Sequence, residues 1–434
     1  MKAGLVEREP ERLQRWYDED IYSQLRTKHA EAKETFVLHD GPPFANGDVH
    51  IGTALNKTLK DIILKFQTMR GKNVPYVPGW DCHGLPIEFK VVQEMRKAGR
   101  NNATPAEIRR ECETYARKYI DHQRTQFKRL GVFGDWDNPY LTLDRKYEAE
   151  ELRLFSDVVE KGFVYRGKKP VYWSIPCRTA LAEAEVEYLD HVSQSVFVKF
   201  QVVGEENTHI VVWTTTPWTL PANLAVAYHS KFTYKKVHVN GEAYIVEGTL
   251  LPKVIETCRW ENVEEVQSLQ GDAIGTLEYR HPFINRTAKL FSGDNFVDNS
   301  TGTGFVHIAP GHGMDDYHLG CEHGLPIYCP VDDNGEFTHT DDLPESEQMP
   351  ADLLGKSILE KKGKSEANEA VITLLQEKGT LVHQENYTHS YPHCWRSKTP
   401  VIFRGMDQWF IKIDHDDFRQ KALEAIKEVN WVPS

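Results

Sequence analysis

The sequence predicts an α/β protein with a parallel, doubly wound sheet in its first part and a large β-rich insertion after it. Two observations carry this prediction. In residues 35–130, short apolar stretches alternate with amphipathic helical patterns, which is typical of parallel strands joined by helices. From residue 193 onward, single apolar and polar residues alternate instead, which is typical of strands with one buried face.

The first part is predicted to begin with a polar helical arm, residues 1–34. A short strand, Phe36–Leu38, follows, and then a helix that begins near Thr53. Within Lys57–Arg70 the apolar residues recur at helical spacing. They are Leu59, Ile62, Ile63 and Phe66. A second short strand is predicted at Asn73–Val77.

A long helix is predicted to begin after Thr104. Thr104 can cap the helix, Pro105 suits its first position, and Glu107 completes a capping box. The apolar residues on one face of this helix are expected to face the core. They are Ile108, Cys112, Tyr115, Tyr119 and Phe127.

The β-rich part contains a hairpin signal at Asn240-Gly241, between two strand-like stretches. Further strands are predicted around Thr303–Ile308 and Thr399–Ile413, and a helix at Phe418–Val429. The simplest layout has four parts. They are a helical arm (1–34), the first half of a Rossmann-type domain (35–171), an insertion (172–395) and the start of a return to the first domain (396–434).

Composition excludes some classes of protein. The 434 residues are 40% hydrophobic and 27% charged, and no apolar stretch approaches the ~20 residues of a membrane span. The charged N-terminus lacks the apolar stretch of a signal peptide. Seven scattered cysteines argue against a disulfide framework. We therefore expect a cytoplasmic protein with no membrane association.

The net charge of −12 argues against general binding of nucleic acid, but one stretch is basic. It contains Arg96, Lys97, Arg100, Arg109, Arg110, Arg117, Lys118, Arg124, Lys128 and Arg129. This stretch is either a solvated helix surface or a contact for an RNA backbone.

The segment from His39 to Thr53 is the most informative stretch. Glycines and prolines form a bend between a strand and a helix, and His50 lies at the mouth of that helix. Glycine permits close approach of the backbone, and a helix N-terminus attracts anions, so the pattern suits a nucleotide phosphate. An ordinary turn before a helix is the alternative.

The segment Gly79–Glu88 follows the second predicted strand, where open α/β sheets bind ligands. Asp81 could pair with an ammonium group and Trp80 could line an apolar pocket; alternatively, Asp81 only caps the next helix. The His39–Thr53 stretch resembles the HIGH signature of class I aminoacyl-tRNA synthetases. Gly79–Glu88 resembles the corresponding block of isoleucyl-tRNA synthetases rather than those of valyl or leucyl enzymes, and the resemblance runs along the whole chain.

This resemblance implies ATP-dependent attachment of isoleucine to tRNA(Ile), with Mg²⁺ accompanying ATP. It assigns ATP and adenylate binding to five residues and amino-acid binding to three. The first set is Pro42, Pro43, Phe44, His50 and Gly52, and the second is Pro42, Trp80 and Asp81. Catalysis falls to His50 and Thr53, although Thr53 stands where the family has its second histidine and cannot carry a positive charge.

The insertion contains two further motifs, Trp213–Asn223 with four threonines and Gly304–Tyr317 with two histidines and two aspartates. Alone, the threonines suggest a strand surface, and the second motif suggests a metal hydrolase. Together they resemble the editing domain of isoleucyl-tRNA synthetases, which implies that Asp316 holds the α-ammonium of a misattached amino acid and that His307 limits the size of the pocket. The tRNA end and side-chain pocket would be lined by Thr214, Thr215, Thr216 and Asn223.

Such a second site has a physical reason, for which isoleucyl-tRNA synthetase is itself the standard example. An apolar pocket rejects valine, which lacks one methylene, only weakly, so hydrolysis must remove the errors. No structural zinc is predicted. Where some relatives have two Cys-x-x-Cys pairs, this chain has Ser174 with Cys177 and Cys394 with Ser397.

The chain contains no Lys-Met-Ser-Lys-Ser, so the resemblance implies an N-terminal fragment whose ability to ligate alone is doubtful. The expected partners are tRNA(Ile), isoleucine and ATP, and a monomer is expected. The alternatives are a free-standing hydrolase of misacylated tRNA, a valyl- or leucyl-type synthetase, and an RNA-binding piece that uses the basic stretch.

Overall fold

A computed structural model describes residues 4–361 and 363–432 and divides the chain into two compact units, Met1–Phe163 and Val164–Ser434. The division lies after residue 163, whereas the sequence predicted a domain boundary after residue 171.

The first unit is mainly helical. Its helices are α1 (Leu5–Asp18), α2 (Ile21–Lys28), α3 (Ile51–Met69), α4 (Leu85–Lys97), α5 (Pro105–Arg129) and α6 (Arg145–Glu160). Its strands are β1 (Gly79–Trp80) and β2 (Tyr140–Leu141), which pair in parallel. Two isolated bridges, Thr35 with Asn73 and Phe44 with Asp81, are also parallel.

The prediction of regular strands at Phe36–Leu38 and Asn73–Val77 is wrong, because pairing here is limited to an isolated bridge between Thr35 and Asn73. Beyond the bridge at Thr35, backbone pairing between these segments stops. Pro75 has no N–H to donate, and Tyr76 bonds elsewhere: its N–H donates to the Tyr22 hydroxyl at 3.0 Å. The Tyr76 carbonyl accepts from the Asp135 N–H at 3.0 Å, so a side chain and a loop replace a neighbouring strand.

Helix α3 buries its polar face. Lys57, Asp61 and Leu64 are buried, whereas the apolar residues with helical spacing are exposed. The exposed stripe contains Ile51, Leu55, Leu59, Ile62, Ile63, Phe66 and Met69. Periodicity identified the helix correctly, but it did not identify the buried face.

Helix α5 begins as predicted, with the capping box between Thr104 and Glu107 present in both directions. Its buried residues are Ala116, Ile120, Gln123 and Phe127, so only Phe127 of the predicted apolar face is fully buried. Phe127 packs in the core of this unit with Trp80 and Trp136.

The second unit is mainly β. Its strands are β3 (Val164–Ser174), β4 (Thr179–Leu181), β5 (Val186–Val202), β6 (Thr208–Thr214), β7 (Ala225–Tyr228), β8 (Thr233–Val239), β9 (Glu242–Glu247), β10 (Glu264–Gln270), β11 (Glu278–Arg280), β12 (Thr287–Ser292), β13 (Val306–Ile308), β14 (Leu381–Cys394) and β15 (Ile402–Ile411). Its helices are α7 (Leu251–Cys258), α8 (Gly271–Ile274), α9 (Met314–Glu322), α10 (Glu366–Glu377) and α11 (Phe418–Glu428).

The described strands of this unit form a ten-stranded mixed sheet and a three-stranded sheet. The large sheet has the order β10-β8-β9-β6-β5-β11-β12-β7-β13, with β14 also paired to β5, and the small one has the order β15-β3-β4. The predicted hairpin at Asn240-Gly241 joins β8 and β9, and both turn residues have positive φ, as a type I′ turn requires. The core lies against the large sheet, around Phe200, Ile210 and Tyr279.

Across the described residues, none of the helices combines the length and apolar character needed to span a bilayer.

Candidate active sites

The N-terminus of α3 is the centre of the first candidate site. His50 caps the helix: its Nδ1 accepts hydrogen bonds from the backbone N–H of Gly52 at 3.1 Å and of Thr53 at 3.3 Å. Because Nδ1 accepts, the proton of the neutral ring is on Nε2, which lies 3.0 Å from the Thr53 hydroxyl oxygen. Thr53 therefore orients the exposed His50 ring, although it is not itself a histidine.

The loop before α3 lies beside the segment that carries Asp81. Asp81 N–H donates to the Pro43 carbonyl at 2.9 Å, and Ala45 N–H donates to the Asp81 carbonyl at 2.9 Å. Phe44 and Asp81 form the parallel bridge. The structure thus brings Pro43, Phe44 and Asp81 together, with Pro42 next in the chain.

Trp80, the residue before Asp81, lies in the core of the first unit. Its side chain is fully buried, and it packs against Phe127 and Trp136. The indole Nε1–H donates to Gln123 Oε1 at 3.0 Å. Two neighbouring rings and a buried hydrogen-bond partner thus hold Trp80 in the core, directly before Asp81, and its role in an apolar amino-acid pocket stays a prediction.

Beneath the loop lies a buried charge network that sequence reasoning missed. Asp40 accepts hydrogen bonds from Lys57 and Lys60, and from the Tyr76 hydroxyl at 2.7 Å. Burial alone would raise the pKa of Asp40, but these donors outweigh it and lower the pKa below its ordinary value. The network ties the start of the loop to α3. The lysines at positions 57 and 60, three residues apart on a helix, were the available signal.

The second candidate site is a chain of hydroxyl groups in the second unit. Thr214 and Thr216 hydroxyl oxygens lie 3.2 Å apart, and those of Thr216 and Thr219 lie 3.4 Å apart. The Thr219 hydroxyl donates to the Thr216 carbonyl at 2.8 Å. Thr219 was not predicted, but its place three residues after Thr216 puts both on one side of the 3₁₀ turn Pro217–Ala222.

His307 joins this chain from strand β13. Its Nε2 lies 2.9 Å from the Thr219 hydroxyl oxygen. With the Thr219 proton on the Thr216 carbonyl, His307 Nε2 is the donor of this pair, and the buried Nδ1 has no hydrogen-bond partner among the described residues. Burial lowers the pKa of His307 to about 4, so the ring is neutral at pH 7.

Asp316 lies in the first turn of α9, close to the same strand. Its Oδ2 accepts the backbone N–H of Ala309 at 2.8 Å, two residues after His307. Burial, together with the charge of Asp315, raises the pKa of Asp316 to about 7 despite this donor. Gly313 permits the approach, because a Cβ there would lie 2.9 Å from the Asp316 carboxyl carbon. A carboxyl group with a raised pKa gains most from a cationic ligand.

Three predicted residues of this site, Thr215, Thr216 and Asn223, differ in their surroundings. Thr215 and Thr216 line a cavity of about 30 Å³, which also contacts His191 and Glu360. His191 Nε2 lies 3.0 Å from Glu360 Oε1, a polar pair that the sequence did not reveal. Asn223 is fully buried, and its amide bonds the Ala225 carbonyl and the Tyr279 hydroxyl. Both ends of the Asn223 amide are thus used inside the core, and its role in lining the pocket stays a prediction.

The histidines and aspartates of the second motif have separate partners. His307 bonds Thr219, Asp316 bonds Ala309, and His312 Nδ1 bonds the Phe403 carbonyl at 2.9 Å. Among residues 4–361 and 363–432, no three histidine, cysteine, aspartate or glutamate side chains are placed to hold a metal ion.

Comparison with protein families matches residues 11–434 to the family described as tRNA synthetases class I (I, L, M and V). The chain belongs to this family of class I synthetases. Its α/β fold with a large mixed sheet is therefore a class I synthetase fold.

Two curated relatives give the extent of the match. The isoleucine–tRNA ligase of Petrotoga mobilis is 49% identical over all of this chain and 45% of its own length. That of Thermotoga maritima is 48% identical with the same coverage. The synthetase chain thus spans about 45% of the length of these relatives. A solved LeuRS–tRNA–LeuAMS complex from Agrobacterium radiobacter K84 aligns with 92% of this chain and 52% of that one, at 19% identity and a TM-score of 0.36.

The four positions of the Ser174/Cys177 and Cys394/Ser397 pairs lie close together. The thiols of Cys177 and Cys394 share a hydrogen bond, which raises the pKa of Cys177 and lowers that of Cys394. Ser174 is buried, and the Ser397 hydroxyl pairs with that of Thr399 at 2.9 Å. Two thiols and two hydroxyls do not fit a structural Zn²⁺ site, which takes four cysteine or histidine ligands.

The basic stretch between Arg96 and Arg129 is partly neutralised by ion pairs. Arg100 pairs with Glu111, Arg117 with Glu113, Arg124 with Asp121 and Arg129 with Glu9. Arg96, Lys97, Arg110 and Lys118 are exposed on α4 and α5. These four cations are the best candidates in the stretch for contacts with phosphates.

Proposed function

We propose that this chain carries two sites of an isoleucine–tRNA ligase: one that forms isoleucyl-adenylate from isoleucine and ATP, and one that hydrolyses Val-tRNA(Ile). The observation that carries the proposal is the continuous polar chain from Thr214 through Thr216 and Thr219 to His307, with Asp316 bonded two residues further along. Membership of the class I family and the high identity to isoleucine–tRNA ligases support the same conclusion.

In the first site, Asp81 would bind the α-ammonium of isoleucine, beside Pro42, Pro43 and Phe44. The His50 ring, held beside Thr53, would contact an ATP phosphate by exchanging its Nε2–H bond to the Thr53 hydroxyl for one to a phosphate oxygen. The positive end of the α3 dipole, at the helix N-terminus, favours the same negative charge. Mg²⁺ bound with ATP would neutralise phosphate charge.

In the second site, Asp316 would bind the α-ammonium of a misattached valine, and the hydroxyls of Thr214, Thr215 and Thr216 would hold the ester and the tRNA 3′ end. His307, fixed by Thr219, would limit the size of the accepted side chain. These side chains would position the ester and a water molecule, and none of them is assigned as a nucleophile. Hydrolysis then depends on positioning.

The proposal includes a domain layout. Residues 1–34 would be an arm, 35–171 the first half of a Rossmann-type catalytic domain, 172–395 an editing insertion and 396–434 the start of the return. A monomeric, cytoplasmic protein that binds tRNA(Ile) is part of the same proposal.

The experiment that tests the proposal is release of labelled amino acid from pre-charged tRNA. We expect the chain to release valine from Val-tRNA(Ile), to leave Ile-tRNA(Ile) largely intact, and to act equally with and without EDTA. Loss of activity in EDTA would favour the metal-hydrolase alternative. Hydrolysis of both substrates at equal rates would contradict the role of His307.

Asp81→Ala is expected to weaken binding of isoleucine to this chain ~10–100-fold, because a charge-assisted hydrogen bond contributes about 1.5–3 kcal/mol. Isothermal titration calorimetry with isoleucine measures the change. Asp121→Ala, which removes an exposed carboxylate from α5, is the matched control. Unchanged affinity in Asp81→Ala would remove Asp81 from the proposed role.

Replacing the exposed cations Arg96, Lys97, Arg110 and Lys118, which form no ion pair with the described residues, by glutamine is expected to flatten the salt dependence of tRNA binding. Each lost phosphate contact lowers the slope of log K against log [salt] by about 0.7–0.9. The control replaces Arg100 and Arg117, which are paired with glutamates. A slope that does not change would assign the four cations to a solvated surface.

A further inference from the structure

One face of α5 holds the loop that precedes α3. Three side chains on this face, His122, Gln123 and Gln126, bond groups of residues 44–49. Gln123 is the buried member, with 3% of its surface exposed. A buried amide whose groups are all bonded is fixed in orientation.

The amide of Gln123 makes three hydrogen bonds. Its Oε1 accepts the Trp80 indole N–H at 3.0 Å, and its Nε2 donates to the carbonyls of Phe44 at 3.1 Å and Gly47 at 2.9 Å. An indole can only donate and a carbonyl can only accept, so the orientation of the amide is unambiguous. All of its donors and its acceptor are satisfied.

These bonds join the two segments of the first candidate site. The backbone ties between the segments lie at Pro43, Ala45 and Asp81. Gln123 adds a hydrogen bond to the carbonyl of Gly47. Gly47 has a positive φ of 73° and lies in the turn that leads to His50. At its other end it holds Trp80, the residue before Asp81.

Gln126 extends the contact between α5 and the loop to Val49, the residue before His50. Its Oε1 accepts the Val49 N–H at 2.8 Å, and its Nε2 donates to Asp48 Oδ1 at 2.9 Å. His122 also pairs with Asp48. One helix therefore sets the path of the loop from Phe44 to Val49.

We propose that Gln123 is a positioning residue that sets the spacing between the His50 loop and the Asp81 segment, so that one aminoacyl-adenylate can contact both. This inference rests on the proposed function of the first site. In that proposed site the α-ammonium of isoleucine would bind at Asp81 and the ATP phosphates at His50, so an aminoacyl-adenylate would depend on both segments at once. Loss of Gln123 should therefore affect the joined ligand more than its separate parts.

The test measures binding of three probes to the full chain by calorimetry: isoleucine, ATP and the stable adenylate analogue isoleucyl-sulfamoyl-adenosine. Gln123→Met keeps the length of the side chain without its hydrogen bonds, and Gln123→Glu keeps an acceptor for Trp80 but loses both donors. We expect the analogue to bind ~10–100-fold more weakly to both variants, because small misplacements of reacting groups have effects of this size. Isoleucine and ATP should each change less than threefold.

Gln93→Met, at an exposed position of α4, is the matched control and should bind all three probes like the wild type. Wild-type affinity for the analogue in Gln123→Met would overturn the inference, and so would an equal loss for all three probes, which indicates general damage to the fold. Failure of the wild-type chain to bind the analogue would instead refute the proposed first site, and the inference with it.

Discussion

Asp316→Asn is expected to slow hydrolysis of Val-tRNA(Ile) by about 100-fold or more, because the change removes the negative charge that would bind the α-ammonium. The asparagine can still accept the Ala309 N–H that Asp316 accepts now, so the local structure should persist. Release of labelled valine from pre-charged tRNA measures the effect.

The same substitution is expected to stabilise the free protein at high pH. The pKa of Asp316 is raised to about 7 by burial and by Asp315, so the folded protein holds a proton that the unfolded chain has already released. Stability of the wild type should therefore fall as pH rises from about 4 to about 7 and then stay level. The neutral amide of Asp316→Asn does not titrate. Above pH 7 we therefore expect the free energy of unfolding of this variant to exceed that of the wild type by ~2–4 kcal/mol, a value that allows for the carboxyl being only partly buried.

Asp315→Asn is the control for both effects, since Asp315 is the exposed neighbouring carboxylate in the same turn. It should retain hydrolysis. Thermal unfolding followed at several pH values gives the stability of each variant. Full activity in Asp316→Asn would remove Asp316 from ammonium binding, and a stability difference that is the same at pH 4 and pH 8 would contradict its raised pKa.

Asp40→Ala is expected to destabilise the first unit by about 3–5 kcal/mol, because it leaves Lys57 buried without its carboxylate. Lys57 is 2% exposed, and Asp40 is its only carboxylate partner in the described part of the chain. Lys57→Met should cost less, since Asp40 would keep its bonds to Lys60 and Tyr76. Urea unfolding, followed by fluorescence of the buried tryptophans, measures the change.

The contribution of Asp40 should also depend on pH. Its pKa is lowered in the folded protein, so the stabilisation is present above the pKa of the unfolded chain and is lost as pH falls through the lower, folded value. Asp157→Ala, at an exposed position of α6, is the control and should change stability by less than about 0.5 kcal/mol. A loss below about 1 kcal/mol in Asp40→Ala would contradict the structural importance of the network.

The sequence by itself determined the features that depend on neighbours along the chain. The capping box at Thr104 and the turn at Asn240-Gly241 form as predicted. His50 lies at the mouth of a helix, also as predicted. Each of these requires only residues within about four positions, so the chemistry of the cap or turn is complete locally. The family resemblance rested on such contiguous motifs and is confirmed by the family match.

Only the tertiary structure decided which side chains are buried and which distant groups meet. The apolar stripe of α3 is exposed, and its polar face is buried, because Lys57 meets Asp40 there. Trp80 and Asn223 lie in the cores because Gln123 and Tyr279 bond them. The pair of His307 and Thr219 is 88 positions apart in the chain. Periodicity and spacing carry no information about such partners, since burial and hydrogen bonding depend on what the rest of the fold packs against each residue.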